Sequence, residues 1–225
     1  MSKEILFYTD LQIGKNLAET VKDQIKSIGI PITSVSLRGP SDMGRNIIYH
    51  GMRSHSTLYD QILVGLRACK ADYVFFCEHD VLYTPSHFDF DPPRDDVYYY
   101  NNNVYKYRLS DDKIVGYDCS WLSQLCANRE LLIKHYEKRF EMIESGKRAY
   151  GYEPGTGQSR KIDKFKFERF ESEHPNIDVR HGMNWTGVAR MDPKEFRNKK
   201  TCRNFKEIKI DEVPFWSKKK LLSLK

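Results

Sequence analysis

The sequence has no long apolar run. None of its hydrophobic stretches approaches the roughly 20 residues that a membrane-crossing helix needs, which argues against an integral membrane protein. The N-terminus, MSKEILFYTD, also lacks the basic region and the apolar core of a secretory signal peptide. We therefore expect a soluble, cytoplasmic protein.

Cysteine is sparse, and its spacing is uninformative for metal binding. The five cysteines are an odd number and include no close Cys-x-x-Cys pair. This pattern supports neither a zinc site nor a disulfide framework. We predict that the cysteines are reduced structural thiols: Cys69, Cys77, Cys119, Cys126 and Cys202.

Positive charge is concentrated near the C-terminus. Residues 160–225 contain 18 Lys and Arg against 10 Asp and Glu, whereas the rest of the chain has 19 against 21. At 225 residues, the chain is long enough for one large domain with an ample core. We expect that domain over residues 1–190, with a basic, aromatic extension over residues 191–225 that packs on it or trails from it.

Apolar spacing predicts alternating strands and helices. The predicted strands are residues 5–9, 32–37, 73–77 and 177–179, and the predicted helices are residues 17–28, 56–70 and 129–143. Such alternation favours an α/β fold with a mostly parallel sheet flanked by helices. Residues 97–107, two aromatic runs around three asparagines, are typical of a β-hairpin.

The stretch ADYVFFCEHDVLY, residues 71–83, carries the strongest functional signal. A buried strand ends there in two carboxylates, Glu78 and Asp80, and ionised carboxylates are costly in such a place unless they are paired or metal-bound. Residues two apart in a strand point to the same side, so both would converge on one divalent cation or on ligand hydroxyls. The alternative is a solvated strand end at which Asp80 caps a turn.

The chain resembles the GT-A class of nucleotide-sugar glycosyltransferases. The matching segments span roughly residues 4–190 and are ILFYTD, STLYDQILVGLRACKADYVFFCEHD, YDCSWLSQLCANRELL and RHGMNWTG. The resemblance implies a GT-A-like, Rossmann-related sheet and the transfer of a sugar from a nucleotide diphosphate to a hydroxyl.

In that class the acidic triplet binds a Mn²⁺ or Mg²⁺ ion that bridges the donor diphosphate. Asp80 matches the metal-binding position, and Glu78 stands where the class usually has aspartate. The resemblance places His181 as the late histidine that completes the metal site. A cation suits the chemistry because negative charge builds on the leaving phosphate. The alternative for His181 is a polar surface residue.

The resemblance also implies contacts with the donor. Thr9 and Asp10, at the end of the first strand, would contact base and ribose, and the loop 181–187 would close over phosphate or sugar through Asn184 and Thr186. The other donor-site candidates follow the second strand or lie near the helix before the triplet: Arg38, Arg53, Tyr59 and Asp60.

A base must take the proton of the acceptor if the sugar is transferred by direct displacement. Glu153, in the segment GYEPGTG after the long helix, is the first candidate and Asp118 the second. The glycine-rich segment is alternatively only a mobile loop.

The basic extension bears on the acceptor. Its clusters at residues 194–203 and 218–220 are interleaved with aromatic residues, namely Phe196, Phe205, Phe215 and Trp216. Lys and Arg bind nucleic-acid phosphates and aromatic rings stack on bases, although charge runs are usually solvated surface. The extension is similar to that of the phage DNA glycosyltransferases associated with TET/JBP base oxidases. This favours 5-hydroxymethylpyrimidine in DNA as acceptor and, for a phage protein, the host cytoplasm.

Other functions remain open. A glycosyltransferase for a glycan or a lipid-linked saccharide would keep the donor site without binding DNA. A nucleotidyltransferase also uses paired carboxylates and metal, but it normally has an early glycine-rich phosphate loop, and residues 11–16 contain only Gly14. A non-catalytic nucleic-acid-binding module would bind DNA without using a donor.

Overall fold

The computed structural model describes residues 1–118, 120–147, 153–184, 191–195 and 203–225. In these ranges the strands are Lys3–Thr9 (β1), Ile32–Leu37 (β2), Arg45–Tyr49 (β3), Tyr73–Glu78 (β4), Val81–Leu82 (β5), Val97–Asn101 (β6), Val104–Arg108 (β7), Lys113–Gly116 (β8), Leu125–Asn128 (β9), Lys166–Phe170 (β10), Asn176–Arg180 (β11) and Lys206–Ile208 (β12). The α-helices are Lys15–Ser27 (α1), His55–Ala68 (α2), Arg129–Glu144 (α3) and Lys218–Leu222 (α4). Short 3₁₀ helices cover Pro85–His87, Leu122–Gln124, Gly157–Lys161 and Pro193–Glu195.

Seven strands form the central sheet in the order β10-β6-β9-β4-β1-β2-β3. β1 runs parallel to β2 and β4, β2 to β3, and β6 to β10, whereas β9 is antiparallel to both of its neighbours. The expected α/β fold with a mostly parallel sheet flanked by helices is therefore confirmed.

Successive side chains of β1 point to opposite faces of this sheet, and both faces are buried. Ile5 and Phe7 pack in one buried cluster with the apolar stripe of α1, while Leu6 and Tyr8 pack in a second cluster with α2 and α3. A strand that is apolar on both faces requires helices on both faces, and this explains why α1 and α2 lie on opposite sides of the sheet.

A second sheet has the order β12-β8-β7-β11-β5. The chain enters it directly from β4, because only two residues separate β4 from β5, and β5 pairs antiparallel with β11. The carboxyl end of β4 therefore lies where the two sheets meet.

The hairpin predicted for residues 97–107 is wrong. β6 belongs to the seven-stranded sheet and β7 to the five-stranded sheet. β6 pairs in parallel with β10 and β7 with β11, so residues 97–108 run beside a later segment that also passes between the sheets. The chain passes between the sheets after β6 and again after β10, and the buried Asn101 links these two segments. It donates to Ser172 Oγ at 2.8 Å and accepts from the Ser172 N–H at 3.2 Å.

The end of the chain packs on the central sheet in the described ranges. Val213, Trp216 and two leucines after them belong to the same buried cluster as β1 and α1. The Trp216 indole donates to the Pro175 carbonyl at 2.6 Å. No helix in the described part of the chain is both long and apolar enough to cross a membrane. Cys69, Cys77 and Cys126 are buried free thiols, as predicted; the other two cysteines lie outside the described residues.

Candidate functional site

A cleft opens at the carboxyl ends of β1 and β4. The strand order reverses there, because β1 is followed by α1 and β2 on one side and pairs with β4 on the other. Such a point leaves a crevice in open α/β sheets. The first turn of α2 forms one wall. The polar lining includes Thr9, Asp10, Arg53, Glu78, His79 and Asp80.

The predicted acidic triplet is not one continuous strand. β4 ends at Glu78, and His79 and Asp80 form a turn before β5. The alternation of side chains stops where the strand stops. Instead, His79, Asp80 and His181 each provide one ligand atom, and these three atoms lie within 4.8 Å of one another.

Asp80 is 6% exposed and is held on two sides. Its carbonyl accepts from the Val179 N–H at 2.8 Å, and its Oδ2 accepts from Asn184 Nδ2 at 2.5 Å. Burial opposes ionisation of this carboxyl, but His181, His79 and Arg180 favour the charged form, so its pKa lies below the usual value. The site therefore contains a buried carboxylate ion.

His181 directly follows β11. Its Nδ1 accepts from the Met183 N–H at 3.3 Å, and its Nε2 lies 3.7 Å from Asp80 Oδ2. The Nε2 atom is buried and has no hydrogen-bond partner among the described residues. Imidazole and carboxylate are both common ligands of divalent cations. With Nδ1 accepting from Met183, the neutral ring carries its proton on Nε2, so a cation between His181 and Asp80 requires the tautomer protonated at Nδ1.

His79 lies across from the end of β1. The register pairs Tyr8 with Glu78, so Thr9 lies beside His79, and Thr9 Oγ1 and His79 Nδ1 are 2.6 Å apart. Thr9 Oγ1 also accepts from the Leu11 N–H at 2.9 Å. Burial lowers the pKa of His79, which favours the neutral imidazole.

Glu78 lies in the cleft but outside the His79–Asp80–His181 group. Its Oε1 accepts from the Tyr8 hydroxyl at 2.8 Å. Burial raises the pKa of Glu78 to about 8, and the charge of Asp80 adds to the increase. Burial and the neighbouring carboxylate thus both favour the neutral form of Glu78. Its predicted contact with a cation or a donor stays a prediction.

Arg53 links the segment that follows β1 to the loop that follows β11. Its Nε donates to Asp10 Oδ2 at 2.5 Å, and its guanidinium also donates to the Met183 carbonyl at 2.8 Å. Ser54 caps the N-terminus of α2 next to it by accepting from the Thr57 N–H at 3.1 Å. A cation and a helix N-terminus thus face the same cleft, a combination that favours an anionic ligand.

Glu153 does not line the cleft, but it is close enough for its charge to act on Glu78. Its charge contributes to the raised pKa of Glu78. Burial raises the pKa of Glu153 itself to about 7, while the Arg139 charge and the Leu122 N–H oppose that increase. Arg139 is fully buried, 4.6 Å above the Tyr59 ring. A carboxyl with this pKa is able to accept a proton near neutral pH.

Other predicted site residues lie outside the cleft. Asp118 accepts from the side chains of Asn102 and Asn204. Tyr59 packs between α2 and α3 against Tyr136, and Asp60 accepts from the Tyr49 hydroxyl at 2.9 Å. Arg38 is exposed at the end of β2. Thr186 lies outside the described residues.

Sequence reasoning missed His79, Arg180 and Gln61 as parts of the site. Gln61 donates to the Thr9 carbonyl at 3.1 Å and fixes the end of β1 against α2. Arg180 lines the cleft, and the carboxylates of Asp178 and Asp80 outweigh the effect of burial to raise its pKa. The adjacent His-Asp pair was the available signal for His79, but strand alternation directs attention to residues 78 and 80 instead.

No protein-family model matches the chain, and no curated protein matches its sequence. Among solved structures, a glycosyltransferase involved in glycosylation of the major capsid of PBCV-1 aligns with a TM-score of 0.46 at 9% identity, covering 76% of this chain and 83% of that one. S. aureus TarS 1–349 in complex with UDP-GlcNAc aligns with a TM-score of 0.43 at 8% identity, covering 87% of this chain and 63% of that one.

The third similar structure is 2-C-methyl-D-erythritol 4-phosphate cytidylyltransferase from Thermus thermophilus. Its TM-score is 0.45 at 9% identity, and the alignment covers 86% of this chain and 95% of that one. This chain spans 63% of TarS and about half, 52%, of the bifunctional IspDF protein from Campylobacter jejuni. At these scores the matches carry no argument about function, and the fold assignment depends on the strand order.

Proposed function

We propose that the protein is a glycosyltransferase that moves a sugar from a nucleotide-diphosphate donor to a hydroxyl group. The observation that supports the proposal is the His79–Asp80–His181 group, which lies at the carboxyl ends of β1 and β4 beside Arg53 and the start of α2. A donor of this kind carries a diphosphate, which requires both positive charge and oriented N–H donors.

Asp80 and His181 would hold a Mn²⁺ or Mg²⁺ ion in this proposal. The ion, when bound, would stabilise the negative charge that develops on the leaving diphosphate. Thr9 and Asp10 would contact the nucleoside, and Glu78 would contact the cation or the donor. The ion pair of Arg53 with Asp10 would hold this wall of the cleft against the loop that contains Asn184.

Glu153 is the proposed base. The acceptor oxygen forms a bond to the anomeric carbon, the bond from that carbon to the diphosphate oxygen breaks, and its electron pair leaves with the diphosphate. The proton of the acceptor hydroxyl goes to the Glu153 carboxylate. The charge of Arg139 favours the ionised form that this step requires.

The proposed acceptor is 5-hydroxymethylpyrimidine in DNA, and the proposed setting is the cytoplasm. The support is the excess of Lys and Arg over residues 160–225. Trp216 and Phe205 do not serve as free stacking platforms, because Trp216 is 4% exposed and Phe205 stacks against Tyr117. Phe215, which is 54% exposed, and Phe165, which is 40% exposed, are the aromatic residues of this region that remain accessible among the described residues.

The decisive experiment measures hydrolysis and transfer with a panel of nucleotide sugars in the presence of Mn²⁺ or Mg²⁺. Each reaction is run with hydroxymethylated duplex DNA, with unmodified duplex and with a glycan acceptor. Asp80→Asn should lose at least about a hundredfold in turnover, and Asp89→Asn, at an exposed carboxylate, is the matched control. Transfer to DNA should weaken steeply as salt rises.

Several results would contradict the proposal. If no nucleotide sugar is hydrolysed or transferred with either cation, the protein is not this transferase. Transfer to the glycan alone would leave the donor site standing and remove the DNA acceptor. Salt-sensitive DNA binding that survives Asp80→Asn without donor use would identify a non-catalytic nucleic-acid-binding module.

A further inference from the structure

The cation site contains more nitrogen than an acidic triplet would provide. Two of the three residues whose ligand atoms lie within 4.8 Å are histidines, and one of them, His79, is the middle residue of Glu78-His79-Asp80. In a continuous strand the middle residue points away from its neighbours. Here the strand ends one residue earlier, and the turn at His79 and Asp80 brings His79 to the same side as Asp80 and His181.

We propose that His79 binds the cation directly, and that the resulting site of two imidazoles and one carboxylate selects Mn²⁺ or a later first-row ion over Mg²⁺. This inference rests on one part of the proposed function, namely that a cation binds at Asp80 and His181.

The surroundings of His79 support a ligand role. Its Nδ1 lies 2.6 Å from Thr9 Oγ1, and Thr9 is itself held by the Leu11 N–H. A hydrogen bond at one ring nitrogen fixes the orientation of the ring and is the usual outer contact of a metal-binding histidine. The carboxylate of Asp10 lies 3.7 Å from the same Nδ1 and is paired with Arg53.

Asp80 and His181 are oriented by separate contacts. Asn184 binds the Asp80 carboxylate, and the Met183 N–H binds His181 Nδ1, which leaves His181 Nε2 toward Asp80 at 3.7 Å from Oδ2. Asp80 and His79 therefore have outer hydrogen bonds that fit a ligand role, and residues held in this way bind metal with less reorganisation than independent surface side chains. Because the Met183 N–H donates to Nδ1, the neutral His181 ring carries its proton on Nε2, and it must take the other tautomer to bind a cation through that atom.

The composition of the set decides which ion is preferred. Mg²⁺ favours oxygen ligands and retains several waters, whereas imidazole suits transition-metal ions. Replacing a carboxylate by an imidazole therefore shifts preference away from Mg²⁺. Mn²⁺ is the member of the favoured group that also tolerates carboxylate, water and phosphate oxygen.

The experiment measures metal binding by the full chain without donor. Chelator-treated protein is titrated with Mn²⁺ while the free ion is followed by EPR, and Mg²⁺ is then added as competitor. We expect one Mn²⁺ per chain and at least about tenfold weaker binding of Mg²⁺. Pulsed EPR of the bound Mn²⁺ should show coupling to two imidazole nitrogens.

Two variants test His79 itself. His79→Gln should weaken Mn²⁺ binding about tenfold or more and leave coupling to a single imidazole. His174→Gln, at a partly exposed histidine that stacks on Phe215, is the matched control and should bind Mn²⁺ as the wild type does. Thermal unfolding of each variant shows whether the fold is intact, and His79→Ala provides a second substitution if His79→Gln is unstable.

The inference is overturned if His79→Gln binds Mn²⁺ like the wild type, if two nitrogens still couple in that folded variant, or if Mg²⁺ competes equally with Mn²⁺. Its failure is distinguishable from that of the proposed function. If the protein binds Mn²⁺ selectively but transfers no sugar, the proposed glycosyltransferase function fails and the His79 inference stands. Sugar transfer that is supported equally by Mg²⁺ and survives His79→Gln would contradict the His79 site alone.

Discussion

Asn184 binds Asp80 and the start of its own loop with the two ends of one amide. Its Nδ2 donates to Asp80 Oδ2 at 2.5 Å, and its Oδ1 accepts from the His181 N–H at 2.6 Å. This side chain orients a carboxylate of the site, and its predicted contact with the donor stays a prediction. It is a positioning residue that couples the 181–184 loop to Asp80.

Replacing this amide should therefore weaken cation binding without removing a ligand. Asn184→Ala loses both hydrogen bonds, and we expect about a tenfold loss in Mn²⁺ affinity. Asn184→Asp loses the amide N–H but adds a negative charge beside Asp80 that attracts the cation, so it should weaken binding less than Asn184→Ala does. Calorimetric Mn²⁺ titrations at pH 6 and pH 8 compare the two variants. Equal behaviour of both variants and the wild type would show that the amide does not position Asp80.

The proposed base predicts a pH profile. Burial raises the pKa of Glu153 to about 7, so kcat/KM should fall as the pH drops below about 7 and level off above it. Glu153→Gln should lower kcat by about 10²–10⁴ and remove this limb of the profile. Glu144→Gln, at the end of α3, is the control. It should retain the wild-type kcat and the fall of kcat/KM below about pH 7. A wild-type profile that is flat from pH 6 to pH 8 would argue against Glu153.

His87 should make the protein sensitive to acid. It is fully buried among aromatic rings, its Nδ1 contacts Asn101 Nδ2 at 3.0 Å, and burial lowers its pKa to about 3. The unfolded histidine binds a proton below about 6.5, whereas the folded one stays neutral until about pH 3. The folded state therefore loses stability as the pH falls through this window, by about 2 kcal/mol at pH 5.

Urea unfolding at pH 7 and pH 5 measures that loss. His87→Leu should reduce the pH dependence by about 2 kcal/mol, even if the variant is less stable at both values. His50→Leu, at an exposed histidine, serves as control. An identical pH dependence of His87→Leu and wild type would show that His87 does not titrate as its burial implies.

Replacing Trp216 should destabilise the protein far more than replacing its neighbour Phe215. Trp216 is 4% exposed and its indole donates to Pro175, whereas Phe215 is 54% exposed. Trp216→Ala should lower the free energy of unfolding by about 3–5 kcal/mol, and Phe215→Ala by less than about 1 kcal/mol. Chemical denaturation of both variants provides the comparison. Similar losses would mean that the C-terminal segment does not pack on the sheet as described.

The repeating α/β units could be predicted because their signal is local. The strand predicted at residues 32–37 matches β2 at both ends, and the apolar spacing of residues 17–28 lies on α1 within two residues. The pairing of β6 could not be predicted in the same way. One of its two partners, β10, lies more than sixty residues later, and nothing in the sequence near Asn101 distinguishes a tight turn from a crossing between two sheets.

The site was predicted only in part for a related reason. Asp80 was identified from the two carboxylates that end a buried strand and His181 through a resemblance, and the structure places them side by side. His79 was missed because strand alternation was extended past the point at which β4 ends. Tyr59 was proposed for the donor site, but its ring lies under Arg139, and no local pattern shows whether an aromatic residue on a helix faces a ligand or another helix.

The candidate ligands come from both sheets: β4 leads directly into His79 and Asp80, and β11 into His181. An ion held by all three would cross-link the seven-stranded and the five-stranded sheet at the point where the chain passes between them. Such a bound ion should make the two layers unfold as one cooperative unit, so that metal depletion would broaden the melting transition as well as lower its midpoint.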